Sequence, residues 1–235
     1  MLITKDLSAG YGKTVILRNI NIEVHPGEIV AIIGRNGVGK TTLIKSVIGL
    51  IKPLIGNIYF KDHKITSLEA YKRARLGIGY VPQGRGIFPK LSVEENLLIG
   101  KLINSHSNIN QNKSPQSAYS YFPRLQERQS QKAETMSGGE QSMLAIARAL
   151  IGQPDLLLLD EPSEGVQPNV VAQIGSIIEQ INREIELTVL LVEQNLDLIQ
   201  HIAHRCYVMD KGNIVASLER SELADQQQLI KFLAI

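Results

Sequence analysis

A glycine-rich stretch at residues 34–42 has the residue types that hold phosphate groups. It follows a short apolar run at 28–33 and precedes a helical pattern that begins at Lys40. Glycines let the backbone turn its amide groups towards phosphate oxygens, the start of a helix adds partial positive charge, and a lysine reaches the outer phosphates. The stretch therefore predicts a nucleotide phosphate site with Mg²⁺, which the Thr41 hydroxyl can bind. The predicted ligands are Gly34, Arg35, Asn36, Gly37, Val38, Gly39, Lys40, Thr41 and Thr42.

Two adjacent carboxylates follow a second apolar run. Four leucines at 156–159 predict a strand buried on both faces, which delivers Asp160 and Glu161 to its carboxyl end. Ligands bind at that end of parallel sheets. We expect Asp160 to hold Mg²⁺ and Glu161 to orient and polarise the attacking water. Alone, the pair also fits an acidic turn before Pro162, and the phosphate loop upstream favours the catalytic interpretation.

The elements that must position these residues alternate between strand and helix. Short apolar runs at 28–33, 156–159 and 188–192 each precede a helical pattern, which predicts an α/β fold with a mostly parallel sheet. Apolar and polar residues alternate within 2–24, which predicts an antiparallel edge sheet. A turn at 211–212 predicts a hairpin after the last core helix.

Residues 84–151 predict a helical subdomain inserted into this core. Ser92 and Glu95 have the spacing of a capping box at the start of a helix. The polar stretch at 104–114 predicts a surface loop, and 117–131 predicts a further helix. The whole chain, 1–235, then forms a single domain with a nucleotide-binding core at 1–83 and 152–235.

The composition fits one soluble globular domain. Of 235 residues, 43% are hydrophobic, and the formal net charge of +2 comes without a basic, aromatic-rich cluster, so no nucleic-acid partner is expected. Neither a membrane-spanning run nor the layout of a secretory signal is present, so we expect a cytosolic protein. The single cysteine, Cys206, excludes an internal disulfide and predicts core packing. Residues 220–235 predict a final amphipathic helix.

Residues 136–140 connect the chain to a known family. Their sequence, Met-Ser-Gly-Gly-Glu, lies between the phosphate loop and the acidic strand. In this order the motifs resemble those of the ATP-binding subunits of ABC transporters. The resemblance implies the ABC ATPase fold, a P-loop NTPase core with an inserted helical subdomain, and ATP hydrolysis at a dimer interface. There the signature residues of one subunit contact the γ-phosphate of ATP held by the other, and they are Ser137, Gly138, Gly139 and Glu140.

The resemblance implies roles for further residues. Tyr11 matches the aromatic residue that stacks on adenine, although it also fits an edge-strand tyrosine. Gln83 matches the glutamine that contacts the metal and the water, and 165–167 match a loop that crosses the dimer interface. Gln194 stands where most members have a histidine on the γ-phosphate, and an amide carries neither a proton nor a positive charge there. The implied metal ligands are Thr41, Gln83 and Asp160, and the implied catalytic residues are Glu161, Gln83 and Gln194.

The stretch Glu-Gln-Asn at 193–195 resembles that of importers of branched-chain amino acids, amides and urea. Within this group, 34–42, 80–97 and 161–168 are more similar to urea-type subunits than to the branched-chain amino acid type. We therefore expect an ATPase that powers urea import. An importer of branched-chain amino acids and a lipopolysaccharide-type exporter are the alternatives. A scaffold that binds nucleotide without hydrolysis is a further alternative, which the paired carboxylates disfavour.

The resemblance also implies an assembly at the cytoplasmic face of the inner membrane. Its components are a second ATP-binding subunit, identical or paralogous, two membrane-spanning permease subunits and an extracytoplasmic solute-binding protein. Residues 86–89 predict an apolar docking surface that receives a short helix of the permease. Local core packing of Phe88 is the alternative.

Overall fold

The structure, a computed structural model, describes residues 1–102, 115–224 and 229. Ten strands lie in these residues and form two sheets. The strands are β1 (Leu2–Tyr11), β2 (Thr14–Val24), β3 (Ile29–Ile33), β4 (Ile55–Phe60), β5 (His63–Lys64), β6 (Ile78–Val81), β7 (Leu156–Asp160), β8 (Thr188–Val192), β9 (Arg205–Asp210) and β10 (Asn213–Glu219).

Nine α-helices and the 3-10 helix Ala133–Thr135 have both ends within the described residues. The α-helices are α1 (Lys40–Ile48), α2 (Ala70–Arg75), α3 (Val93–Lys101), α4 (Gln116–Tyr119), α5 (Pro123–Glu127), α6 (Gly138–Ile151), α7 (Pro168–Ile185), α8 (Leu196–Ile202) and α9 (Arg220–Leu223).

The central sheet has six strands in the order β10-β9-β3-β8-β7-β6, and every neighbouring pair except β9 and β10 is parallel. All residues of β3, β7 and β8 are buried, as their continuous apolar runs predict. Because the carboxyl ends of parallel strands share one edge, the residues that follow β3, β6, β7 and β8 meet there. That edge carries the predicted site.

A second, antiparallel sheet has the order β2-β1-β4-β5. In β2 the apolar residues Ile20, Ile22 and Val24 are buried and the polar residues between them are exposed, as the alternation predicts. The sequence analysis identified only the first two of its strands. β4 joins through long-range pairing, with Leu2 opposite Phe60, which no local pattern at either segment specifies.

Between Gln83 and Gly152 the regular elements of the described residues are helices, apart from one isolated bridge. α3 begins at the predicted capping box of Ser92 and Glu95 and packs on α6. The helix predicted at 117–131 is instead two short helices, α4 and α5, because Pro123 begins a new helix after Phe122. The predicted loop at 104–114 lies outside the described residues, and the subdomain boundaries at 84 and 151 stay predictions.

The remaining local predictions concern the C-terminal part of the chain. Cys206 is buried in β9, and burial raises the pKa of its thiol to about 12, which confirms a packing role. A turn at 211–212 joins β9 to β10 as predicted. Of the predicted helix at 220–235, α9 covers Arg220–Leu223, and most of the rest lies outside the described residues. No helix in the described residues is long and apolar enough to cross a membrane.

Candidate functional site at the carboxyl edge of the central sheet

The glycine-rich loop joins β3 to α1 as predicted. Gly39 is the N-cap of α1 in the left-handed region, with φ of 114°, and no side chain caps this helix end. A Cβ atom on Gly39 would lie 2.9 Å from Leu17 Cδ2, so a larger residue would crowd the side chains of β2 in addition to straining the backbone. The uncapped amide groups of the first turn provide an anion site that fits the phosphates of a nucleotide.

Lys40 is folded back into its own loop. Its Nζ donates hydrogen bonds to the carbonyl oxygens of Gly34 at 2.8 Å and Arg35 at 3.0 Å, and it lies 3.5 Å from Glu161 Oε1. The residue is only 4% exposed. Burial lowers the pKa of Lys40, and the negative charges of Glu161, Glu193 and Asp160 partly oppose that shift. The ammonium group is therefore held beside Glu161, the carboxylate that is predicted to be catalytic.

Asp160 lies at the end of β7, 1% exposed, and contacts the first turn of α1. Its Oδ1 accepts a hydrogen bond of 3.0 Å from the Thr41 hydroxyl, and Tyr80 OH lies 3.4 Å from Oδ2. Burial, together with the charge of Glu161, raises the pKa of Asp160 although the Thr41 bond opposes this. A hydroxyl and a carboxylate are hard oxygen ligands, and Mg²⁺ typically takes one or two protein carboxylates with phosphate oxygens, so the pair fits this ion.

Glu161 is held by two side-chain amides. Gln83 Nε2 donates to Oε2 at 3.1 Å, and Gln194 Nε2 donates to Oε1 at 3.0 Å. Gln194 also donates to Asn36 Oδ1 in the glycine-rich loop. The backbone of Glu161 has a φ of 51°, in the left-handed region that residues other than glycine rarely adopt. The backbone at Glu161 is therefore locally strained. All three predicted catalytic residues therefore meet.

A cavity of about 330 Å³ opens beside these groups. Tyr11, 53% exposed, lies at this cavity with the phosphate loop, and its predicted role in adenine stacking stays a prediction. The signature residues at 137–140 are absent from its lining. The lining consists of Tyr11, Ile16, Asn36, Gly37, Gly39, Lys40, Thr41, Thr42, Gln83 and Glu161.

The signature residues form the start of α6. Ser137 is the N-cap, its Oγ accepts a hydrogen bond from Glu140 N at 3.3 Å, and Glu140 Oε2 accepts one from Ser137 N at 2.9 Å. Arg128 Nε lies 3.3 Å from the Glu140 carboxylate. Burial opposes the shift, but the bonds from Ser137 and the charge of Arg128 lower the pKa of Glu140. Glu140 thus stabilises the helix end that Ser137, Gly138 and Gly139 expose.

Two residues at the site were missed by sequence reasoning. Glu193 is buried directly after β8, and its carboxylate accepts hydrogen bonds from Ser163 and from the backbone of Gln194. Arg85 Nε donates to Ser142 Oγ at 3.1 Å, which joins the segment after Gln83 to α6. The position of Glu193 beside Gln194 was an available signal, whereas nothing local indicated the Arg85 contact.

The fold and the site together define a nucleotide-binding ATPase in which a phosphate loop and an acidic pair meet at the edge of a parallel sheet. The chain belongs to the ABC transporter family, whose model matches residues 17–164. It is an ATP-binding subunit that hydrolyses ATP to power transport.

Characterised relatives cover nearly the whole chain. The high-affinity branched-chain amino acid transport ATP-binding protein BraG of Pseudomonas aeruginosa is 44% identical over 215 residues, which are 92% of this chain and 91% of BraG. The lipopolysaccharide export system ATP-binding protein LptB of Escherichia coli K12 is 33% identical over 228 residues, 97% of this chain and 94% of LptB. These relatives place the chain among transporter ATPases.

A solved structure of a nucleotide-free ATP-binding cassette from an ABC transporter matches with a TM-score of 0.84. It is 27% identical in sequence, and the match covers 99% of this chain and 98% of that structure. The likeness confirms the predicted ABC ATPase fold, with its mostly parallel sheet and separate antiparallel sheet.

Proposed function

We propose that this chain hydrolyses ATP between two ATP-binding subunits, one site combining the Lys40 loop of one subunit with the Ser137 helix end of the other. The cavity that contains Lys40, Thr41 and Glu161 has no signature residue in its lining, and this observation carries the proposal. Two separate helix N-termini, those of α1 and α6, are anion sites. A second subunit brings both to one triphosphate.

The residues of the site have separate proposed roles in ATP hydrolysis. Thr41, Asp160 and Gln83 would hold Mg²⁺, which when bound supplies charge neutralisation at the β- and γ-phosphates. Glu161 orients and polarises the attacking water, and the amides of Gln83 and Gln194 fix the direction of its carboxylate. Tyr11 stacks on adenine.

An apolar groove between α2, β6, α3 and α6 is the proposed docking surface for the permease. Phe88 lies in it 44% exposed, which disagrees with simple core packing. Asn96 fixes the backbone of Phe88 on both sides, accepting from its N at 2.8 Å and donating to its O at 2.9 Å. Arg148 places its guanidinium 5.2 Å from the Phe88 ring centroid. A rigid, exposed aromatic in an apolar groove fits a short helix of the permease.

The proposed assembly contains two such ATPase subunits, two membrane-spanning permease subunits and an extracytoplasmic solute-binding protein, with this chain at the cytoplasmic face of the inner membrane. Closure of the ATPase dimer on ATP would pull the docked permease helices, and hydrolysis would release them. The ATPase pair is either a homodimer or a pair of paralogues.

Urea is the first candidate for the imported solute, because the stretches 34–42, 80–97 and 161–168 are more similar to urea-type subunits. Branched-chain amino acids are the second candidate, which the 44% identity to BraG favours. Lipopolysaccharide export is weaker, since LptB is 33% identical and this chain has Gln194 at the position where we expect a histidine in that type.

Uptake of labelled urea and labelled leucine in cells with this gene disrupted distinguishes the candidates. Loss of urea uptake alone, restored by the wild-type gene but not by Lys40→Ala, supports the first candidate. Loss of leucine uptake alone supports the second. Unchanged uptake of both solutes contradicts an importer of either kind.

A further inference from the structure

Glu193 is a buried carboxylate that is fully occupied by hydrogen bonds. The residue is 2% exposed. Its Oε1 accepts from Ser163 N at 3.1 Å and from the Ser163 hydroxyl, and its Oε2 accepts from Gln194 N at 2.7 Å and Asn195 N at 3.3 Å. No lysine, arginine or histidine in the described residues forms an ion pair with it. Hydrogen-bond donors from two separate loops hold the carboxylate, and the Lys40 ammonium also interacts with it electrostatically.

These bonds complete a ring of contacts around the catalytic carboxylate. Gln194 reaches Glu161 through its side chain, and Glu193 holds both the backbone of Gln194 and Ser163. Ser163 follows Glu161 by two residues in the chain. The direction of the Glu161 carboxylate and the position of Ser163 therefore depend on one buried side chain.

Ser163 begins a loop that is itself tightly turned. Its carbonyl oxygen accepts from Val166 N at 3.1 Å, and Glu164 N donates to the Glu161 carbonyl at 3.1 Å. Because Val166 is hydrogen-bonded to Ser163, a displacement of Val166 also displaces Ser163. The loop continues to Gln167, the N-cap of α7, and its residues 165–167 are those that the family resemblance implies at the dimer interface.

We propose that Glu193 is a positioning residue that ties the 161–167 loop to Gln194, so that a movement of this loop changes the hydrogen bonds that orient Glu161. The inference rests on the proposed role of Glu161 in turnover. It makes hydrolysis in a subunit sensitive to the contacts of its own interface loop. Glu193 is not among the residues that line the nucleotide cavity, so we expect ATP binding to change little when it is replaced.

The substitution Glu193→Gln tests this role with little change in volume. An amide oxygen still accepts from two donors, but the NH₂ group cannot accept, so one of the two loops loses its partner. A buried donor without a partner destabilises the arrangement that contains it. If the loop that loses its partner shifts and misaligns Glu161, kcat falls about 10- to 100-fold.

The matched control is Asn182→Ala. Asn182 is another buried polar side chain, and it donates to the carbonyls of Gly27 and Leu187, away from the site. Removal of the Asn182 side chain therefore shows how lower stability alone affects turnover. Both variants, with Ser163→Ala and Glu161→Gln, are assayed as full chains in the transporter complex purified through a tag on this subunit. Turnover, the KM for ATP and the Tm are measured for each.

The proposal predicts that Glu193→Gln lowers kcat at least tenfold while the KM for ATP stays within twofold, and that adding Ser163→Ala changes kcat little further. Asn182→Ala lowers the Tm with kcat per folded complex unchanged. Wild-type kcat in Glu193→Gln, or equal losses of kcat in Glu193→Gln and Asn182→Ala at matched Tm, would overturn it. Wild-type kcat in Glu161→Gln would instead overturn the role of Glu161 in the proposed function.

Discussion

Gln194 Nε2 donates a 3.0 Å hydrogen bond to Glu161 Oε1, at the position where the family resemblance implies a histidine. Gln83 donates to the other oxygen of the same carboxylate at 3.1 Å. An amide supplies the same kind of donor as an imidazole but does not titrate. Because Gln194 does not titrate, its hydrogen bond to Glu161 does not change with pH.

The first prediction concerns the pH dependence of turnover. Gln194→His should introduce an inflection in kcat near the ordinary imidazole pKa of about 6.5, because a protonated ring adds a charge beside Glu161 and Lys40. Gln194→Ala should lower kcat about tenfold without a new inflection. The inflection and the lower kcat are both measured in profiles of kcat between about pH 5.5 and 8.5. A wild-type profile with the same inflection as the histidine variant contradicts the prediction.

The second prediction concerns hydrolysis itself. Glu161→Gln keeps the volume of the side chain but removes the carboxylate that polarises water, and its NH₂ group cannot accept one of the two hydrogen bonds from Gln83 and Gln194. We expect turnover to fall at least 100-fold and an ATP-bound dimer to accumulate, detectable by size-exclusion chromatography with ATP. The control is Lys40→Ala, which should abolish turnover without accumulating the dimer. Monomeric, ATP-loaded Glu161→Gln is the contrary outcome.

The third prediction concerns the docking groove. Phe88→Asp places a charge in the apolar groove and should abolish solute uptake while the subunit retains ATP binding, because Phe88 lies outside the nucleotide cavity. The matched control is Val215→Asp, since Val215 is also exposed but lies in β10, outside the groove. Uptake and nucleotide affinity are measured for both. Equal losses of uptake and ATP binding in Phe88→Asp would indicate misfolding.

The fourth prediction concerns stability. Glu28 forms an ion pair with Arg205 at 2.7 Å; burial opposes the shift, but the bonds from Arg205 and His25 lower the pKa of Glu28. A lowered pKa contributes stability that is present above the unfolded-state pKa of about 4.5 and is lost as pH falls through the folded-state value. Glu28→Gln should therefore reduce the free energy of unfolding by about 1–3 kcal/mol at pH 7.

Urea denaturation at several pH values measures this effect. The difference between wild type and Glu28→Gln should shrink as the pH is lowered below about 4.5. Glu69→Gln is the matched control, because the Glu69–Lys72 pair is exposed and its loss should leave the unfolding midpoint unchanged. A difference that is constant with pH would assign the effect to packing instead.

Most of the correct predictions of secondary structure rest on patterns within a few neighbouring residues. β8 has the predicted start and end, and α1 has the predicted start, because a continuous apolar run and a glycine-rich turn determine them over a few residues. The antiparallel partner β4 was missed because its pairing with β1 joins residues 47 to 58 positions apart. Pro123 was a local signal that should have divided the helix predicted at 117–131.

The site shows the same division. Lys40, Thr41, Asp160 and Glu161 follow from motif spacing and from the edge of the sheet at which their strands end. The bond between Glu193 and Ser163 joins residues 30 positions apart and depends on how two loops turn after leaving the sheet. Such contacts become visible only once the register of β7 against β8 is known.

Cysteine cross-linking tests the proposed nucleotide site most directly. In a Cys206→Ala, Glu161→Gln background, the exposed residues Asn36 and Ser137 are replaced by cysteine, one in each of two differently tagged copies of the subunit. ATP with Mg²⁺ should produce a cross-linked pair with a short bifunctional thiol reagent, whereas either single cysteine variant alone should not form it. Cross-linking that stays at the nucleotide-free level while ATP is bound would contradict a nucleotide held between the two elements.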